Sequence, residues 1–176
     1  MISVDLNKCT GCRRCETACA FFHTGRVSSK LARIKVVNIY EKGIDGPVVC
    51  AQCAEKYCME CPVHALTVGS SGQIIHSPTI CVLCGRCEDV CPIGALEIFD
   101  GFVYVCDLCG GRPQCVKACT EGALVYNPEG EGPSLEMFKS TEKMNPGEKR
   151  YTYIEKTGSD IRKKWRKMEE KMEGEP

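Results

Sequence analysis

Aromatic side chains are scarce in this sequence of 176 residues, at 7% of the total. An interior built from organic side chains alone would therefore be modest. Net charge is missing too, with 23 basic residues balanced by 23 acidic ones. No strongly basic face is evident, so nucleic acid is not an expected partner. No apolar run approaches the roughly 20 residues that span a bilayer. There is no G-x-G-x-x-G, no P-loop and no nucleophile–base pair, so the chain offers no substrate site of its own. The opening Met1-Ile2-Ser3-Val4-Asp5 lacks the basic and apolar regions of a secretory leader. Arg13-Arg14 has no apolar segment behind it and is not a twin-arginine signal. These features predict a cytoplasmic protein, where disulfides are rare. Export attached to a signal-bearing partner is the exception.

Cysteine is what the chain has in abundance. Sixteen residues, about 9%, reach the density of a disulfide or metal scaffold. They fall into four groups of four. The first is Cys9, Cys12, Cys15 and Cys19, and the second Cys50, Cys53, Cys58 and Cys61. The third is Cys81, Cys84, Cys87 and Cys91, and the fourth Cys106, Cys109, Cys115 and Cys119. A repeat extends past the cysteines. Cys61-Pro-Val-His-Ala-Leu, Cys91-Pro-Ile-Gly-Ala-Leu and Cys119-Thr-Glu-Gly-Ala-Leu share one frame.

The spacing carries the chemistry. C-x2-C-x2-C-x3-C-P is the bacterial ferredoxin run, whose fourth cysteine ligates the other cluster of a pair. The third group matches it in full, and the first does so except for Ala20 in place of proline. Zinc is the rival, because paired C-x2-C knuckles also hold a single ion. The second and fourth groups can be drawn that way. The first and third, with four cysteines packed so closely, suit a cubane better. Four oxidised clusters with their thiolates would add about −8 to the chain. Arg13, Arg14, Arg86, Arg112 and Lys117, all near the motifs, could offset that charge or simply be solvated.

Short β-rich runs accompany the groups. Leu66-Thr-Val leads through Gly69-Ser-Ser-Gly72 into Gln73-Ile-Ile. Leu96-Glu-Ile-Phe leads through Asp100-Gly101 into Phe102-Val-Tyr-Val, a strong hairpin signal. A further strand is expected over residues 34–40, and a short helix after each fourth cysteine. The predicted class is α+β: two fused bacterial-ferredoxin-like units with short hairpins and helices, and an extended C-terminal tail. The boundary is placed at 126/127. Residues 127–176 contain no cysteine, and Pro128, Gly130, Gly132 and Pro133 break structure. Ser159-Asp160 is expected to open a charged helix over residues 161–172. Its narrow apolar stripe of Ile161, Trp165, Met168 and Met172 reads as a partner-binding arm or as a solvated helix packing back on the domain.

Taken together, residues 1–126 resemble the four-cluster electron-transfer subunits of the dimethyl sulfoxide reductase type. The compact fourth group and the stretch Cys15-Glu-Thr-Ala-Cys19-Ala-Phe-Phe-His23 are similar to the small iron–sulfur subunits of tungsten aldehyde oxidoreductases and tungsten benzoyl-CoA reductase. The resemblance implies a larger tungsten- or molybdenum-pterin catalytic partner, with a further electron donor or acceptor. It also implies nested [4Fe–4S] sites. Cys9, Cys12, Cys15 and Cys119 would hold one cluster, and Cys106, Cys109, Cys115 and Cys19 its neighbour. Cys50, Cys53, Cys58 and Cys91 would hold a third, and Cys81, Cys84, Cys87 and Cys61 a fourth. The second group departs from the family pattern, with two residues rather than three before Cys61, so three clusters is the alternative. A free diffusible polyferredoxin and a zinc-rich module are the rival functions. His23, His64 and His76 share no metal-binding spacing and read as surface residues or neighbours of ligands. Phe21 and Phe22 are expected to shield a cluster from water.

Overall fold

The computed structural model describes residues 1–173, with side chains described through residue 161. Its framework is four separate two-stranded antiparallel sheets: three successive hairpins and one pair that joins the first strand to the last. Strand β1 (Ile2–Val4) pairs with β8 (Leu124–Tyr126), so that the two ends of the cysteine-bearing region close on each other. Inside lie β2 (Lys35–Ile39) with β3 (Ile44–Val48), β4 (Leu66–Val68) with β5 (Ile74–His76), and β6 (Glu97–Phe99) with β7 (Phe102–Tyr104). At the β6–β7 turn both Asp100 and Gly101 have positive φ, 51° and 75°. That is the type I′ geometry Asp-Gly favours. The ferredoxin units are thus not end to end. The outer one is assembled from the first and last cysteine groups, and the inner one is inserted between them.

Helix α1 (Arg14–Thr24) carries Cys15 and Cys19, α2 (Arg86–Val90) carries Cys87, and α3 (Gln114–Lys117) carries Cys115. Each helix begins before the fourth cysteine of its group, where the sequence placed a helix after it. The shared Cys-x-x-x-Ala-Leu frame forms a tight turn instead. His64, Gly94 and Gly122 occupy equivalent places in it, with φ of 51°, 63° and 65°. The left-handed residue swings the next backbone N–H back toward the cysteine. Ala65 N donates to Cys61 Sγ at 3.3 Å, and Ala123 N donates to Cys119 Sγ at 3.2 Å. At Gly94 the conformation is also a packing requirement, because an added Cβ would lie 2.3 Å from the Pro146 carbonyl oxygen.

The apolar interior divides into three small sets, each containing or touching cysteines. Buried Glu16 fastens α1 to β2 by accepting the Val36 N–H at 2.6 Å, with Arg13 Nη1 3.3 Å from its other oxygen.

The C-terminal segment departs most from the sequence reading. Helix α4 (Pro146–Glu173) begins fifteen residues before the expected start at residue 161. Its first turn is a capping box. Asn145 Oδ1 accepts the Glu148 N–H, and Glu148 Oε2 accepts the Asn145 N–H, both at 3.0 Å. Pro146 fills the first helical position, where its missing N–H costs nothing. Residues 127–161 do not extend away from the cysteine region. Leu135, Phe138 and Ile154 are buried in one set with Ile39, Ile44, Val48 and Ile93. Thr141 Oγ1 donates to the Pro92 carbonyl at 2.7 Å. Of the stripe read as a docking face, Ile161 is partly buried; Trp165, Met168 and Met172 lie outside the described side chains.

Candidate metal centres

None of the sixteen cysteines is paired in a disulfide, and they converge in four quartets. Cys50, Cys53, Cys58 and Cys91 line one apolar space, walled by Tyr57, Ile93, Ala95, Leu96, Val105 and Leu135. Cys9, Cys12, Cys15 and Cys119 line another, beneath Val36 and Leu124. The remaining two quartets show in the thiol electrostatics. Burial pushes Cys87 up to about 11, and Cys61, Cys81 and Cys84 add to the rise. Burial pushes Cys115 up to about 12, with Cys19 and Cys109 adding, and holds Cys106 well above its ordinary value, with Cys50, Cys115 and Cys19 adding. Cys15 and Cys50 are likewise pushed by burial to about 12. Burial therefore opposes the thiolate at most of these positions. A positive inorganic centre would favour the deprotonated form there.

The quartets also discriminate between metals. Among the described residues, the one trio of His, Cys and carboxylate ligand atoms within 4.8 Å of one another is His23, Asp107 and Cys109. The cysteine quartets are spread wider than a tetrahedral ion with bonds of about 2.3 Å allows. Backbone donors reach further sulfurs, from Arg33 N to Cys19 Sγ at 3.2 Å and from Leu83 N to Cys81 Sγ at 3.4 Å. Such N–H···S bonds stabilise a reduced cluster.

The short second group is accommodated by a tight 3₁₀ turn, Tyr57–Glu60. Cys58 sits in the turn beside Cys50, Cys91 and Cys53. The chain then leaves the turn at Cys61, with φ −62° and ψ 118°, and Cys61 turns to the Cys87 quartet. One residue fewer is thus offset by a tighter helix and an extended exit. Cys58→Ala and Cys61→Ala should each remove one cluster, about four irons by analysis of the anaerobically purified chain. Unchanged iron in both variants would mean that the second group is not a cluster site.

The quartets form a series. Cys15 acts on Cys115, linking the first to the second, and Cys50 acts on Cys106, linking the second to the third. The 3₁₀ turn joins the third to the fourth. Only Cys12 and Cys84 are exposed, and they belong to the two ends of the series.

The basic residues near the motifs are mostly engaged elsewhere. Arg13 bonds Asn38 and Glu16, Arg14 bonds Thr120, and Arg86 pairs with Glu60 and Glu142. Lys117 acts on Cys109, as does Arg33, which the sequence did not single out. Arg33 Nη1 pairs with Asp107 at 2.6 Å. His23 lies beside a ligand position: its Nε2 is 3.6 Å from Cys109 Sγ and 3.5 Å from Asp107 Oδ1. Burial, aided by Arg33, lowers its pKa. Nε2 thus faces both the Asp107 carboxylate and the Cys109 sulfur. His64 is exposed, and His76 buries an unpartnered Nε2. Phe21 and Phe22 are 60% and 52% exposed and do not shield a cluster. Phe22 instead packs edge-on against His23, with ring centroids 5.0 Å apart.

This arrangement defines a multi-cluster iron–sulfur protein. Two sequence families described as 4Fe-4S binding domains match residues 1–24 and 74–97. The polyferredoxin-like subunit of an aliphatic sulfonate oxidoreductase from Pyrococcus furiosus is 37% identical over 124 residues, covering 68% of this chain and 71% of the relative. A putative electron transport protein of Escherichia coli, YsaA, is 35% identical over 138 residues, covering 70% and 86%. The beta subunit of an NADH-dependent phenylglyoxylate dehydrogenase from Aromatoleum evansii is 38% identical over 148 residues, but this chain spans only 33% of it. Among solved structures, a chain of the BamBC complex of benzoyl-CoA reductase aligns over 82% of this chain and 88% of its own, with 28% identity and a TM-score of 0.45. The chain belongs to the polyferredoxin-like electron-transfer family, and its sixteen cysteines form four groups set for four [4Fe–4S] clusters.

Among the described residues, no helix is long and apolar enough to cross a membrane.

Proposed function

We propose that this chain relays single electrons to or from a larger catalytic oxidoreductase subunit of the tungsten- or molybdenum-pterin kind. The ligand sets are nested: Cys9, Cys12, Cys15 with Cys119; Cys106, Cys109, Cys115 with Cys19; Cys50, Cys53, Cys58 with Cys91; and Cys81, Cys84, Cys87 with Cys61. When bound, each cluster takes up and releases one electron. The protein's share of the work is to hold the four in line, keep water from the middle pair, and leave the ends accessible.

The carrying observation is the exposure of Cys12 and Cys84, in the first and last quartets of the series, where every other cysteine is half-buried or buried. A series with two accessible ends suits transfer between two partners rather than storage. The surface beside Cys84 supports this reading, because Ile80, Val82 and Leu83 are 51%, 63% and 43% exposed. Adjacent exposed apolar side chains of this kind favour a protein contact. The pterin partner rests on the resemblance carried by Cys15-Glu-Thr-Ala-Cys19-Ala-Phe-Phe-His23.

The test is anaerobic purification of the tagged chain from its native cells, with metal analysis of whatever elutes with it. A larger chain carrying tungsten or molybdenum in about equal amount is expected. Elution of the chain alone with its full iron would assign it instead as a diffusible polyferredoxin.

A further inference from the structure

Lys149 is wholly buried, at 0% exposure. It projects from the first turns of α4 into the cysteine region, far in sequence from every motif. Its ammonium donates to the carbonyl oxygens of Glu88 and Asp89, at 3.0 and 2.5 Å. These carbonyls lie in the last turn of α2, and Cys91 is the residue that caps its C-terminus. Gly94, three residues on, lies against the Lys149 Cβ and the Pro146 carbonyl, so the lysine stem is clamped over the Cys91 turn. A buried ammonium is costly unless an opposite charge compensates it. No carboxylate within ion-pairing distance of Lys149 is found among the described residues. Glu142 is taken by Arg86 at 2.8 Å, and Glu88 accepts the Ile98 N–H at 2.5 Å. Burial lowers the Lys149 pKa, and of the groups that counter this the Cys91 thiol comes first, ahead of Asp89, Glu88 and Glu142, none of them within ion-pairing distance.

We infer that Lys149 is the fixed counter-charge of the cluster held by Cys50, Cys53, Cys58 and Cys91, and that it raises the reduction potential of that one cluster above what its apolar walls alone would set. This rests on the ligand set proposed above. The apolar lining of that quartet leaves little water to offset charge. Adding an electron to an anionic cluster there is opposed by its own charge, and a nearby fixed cation favours it. The step is one electron in, with no bond made and no proton moved at Lys149, which keeps both of its carbonyl acceptors. Lys149 is therefore a positioning residue, acting through Cys91. It also ties the relay to α4: the cysteine-free segment contributes an electrostatic part of the wire.

The test is a redox titration of the full-length, cluster-loaded chain, followed by electron paramagnetic resonance. Wild type is compared with Lys149→Met and Lys149→Gln. The relevant signal is identified as the one that disappears in Cys50→Ala. In both neutral variants this cluster alone should become harder to reduce. Its reduced-to-oxidised ratio at the wild-type midpoint should fall about tenfold, which is 59 mV for one electron. The other three clusters should not move. Unchanged potentials with full iron would overturn the inference, leaving Lys149 as a cap on α2. Loss of that cluster's iron in both neutral variants would also overturn it, by making Lys149 a packing residue. If Cys50→Ala keeps all its iron, the ligand set itself is wrong, which is a separate and earlier failure.

Discussion

Deleting residues 128–176 should strip the cluster at Cys50, Cys53, Cys58 and Cys91, removing about four irons per chain and bleaching the corresponding part of the visible absorption. The segment is a wall of that site. Leu135 lines the space that these four cysteines share. Ala54 N donates to the Pro133 carbonyl at 3.2 Å, and Glu55 accepts the Leu135 N–H at 3.3 Å, so the wall is hydrogen-bonded to the cysteine loop. Phe138 and Ile154 complete an apolar set with the β2–β3 hairpin. Burial of each such side chain contributes about 1.5–3 kcal/mol. Losing three is comparable to the whole net stability of a small domain, about 5–15 kcal/mol. Lys149 would go as well, leaving the α2 carbonyls uncapped. A shorter deletion, from residue 162 onward, leaves all of these contacts in place. It should keep every cluster and weaken only the hold on the catalytic partner, read by pull-down of the two truncated chains beside the full one. If the longer deletion keeps all its iron, the segment is an appendage and not a wall of the site. If the shorter one binds as tightly as the full chain, residues 162–176 are not the docking arm.

What could be read from the sequence divides along physical lines. Ligand spacing is local, so the four groups, the cubane chemistry and the β4–β5 and β6–β7 hairpins were visible as patterns. The Asp100-Gly101 turn forms where its composition demands. The β3 strand was not visible, because Ile44-Asp-Gly-Pro-Val has poor strand composition. It is held by register with β2, where Val36 faces Pro47 and Val37 faces Gly46. The start of α4 does carry a local signal: Asn145-Pro-Gly-Glu148 is a complete N-terminal signature, with a cap, a first-position proline and a reciprocal acid. Ser159-Asp160 resembles a cap in composition but lies inside the helix, where Ser159 Oγ donates to the Lys156 carbonyl at 3.1 Å. The burial of residues 127–161 carried no local mark. Leu135, Phe138 and Ile154 look like scattered apolar residues in a polar stretch, and only the surface they meet shows them to be core. The same holds for Arg33, Lys149 and Asp107, whose partners are distant in the chain. The arginines inside the motifs drew attention by proximity in sequence, yet Arg13, Arg14 and Arg86 spend their charge on Glu16, Thr120 and Glu60.

The central claim is that four cubanes occupy the nested quartets. Each cubane has four irons, four sulfides and four thiolate ligands. The most direct measurement is iron, acid-labile sulfide and zinc per chain in protein purified without oxygen. Full occupancy predicts about sixteen irons and about sixteen sulfides, one of each for every cysteine, with zinc near zero. About twelve irons would mean three clusters and would return the doubt to the short second group. Zinc at about two or more atoms per chain, with little iron and no sulfide, would contradict the account outright.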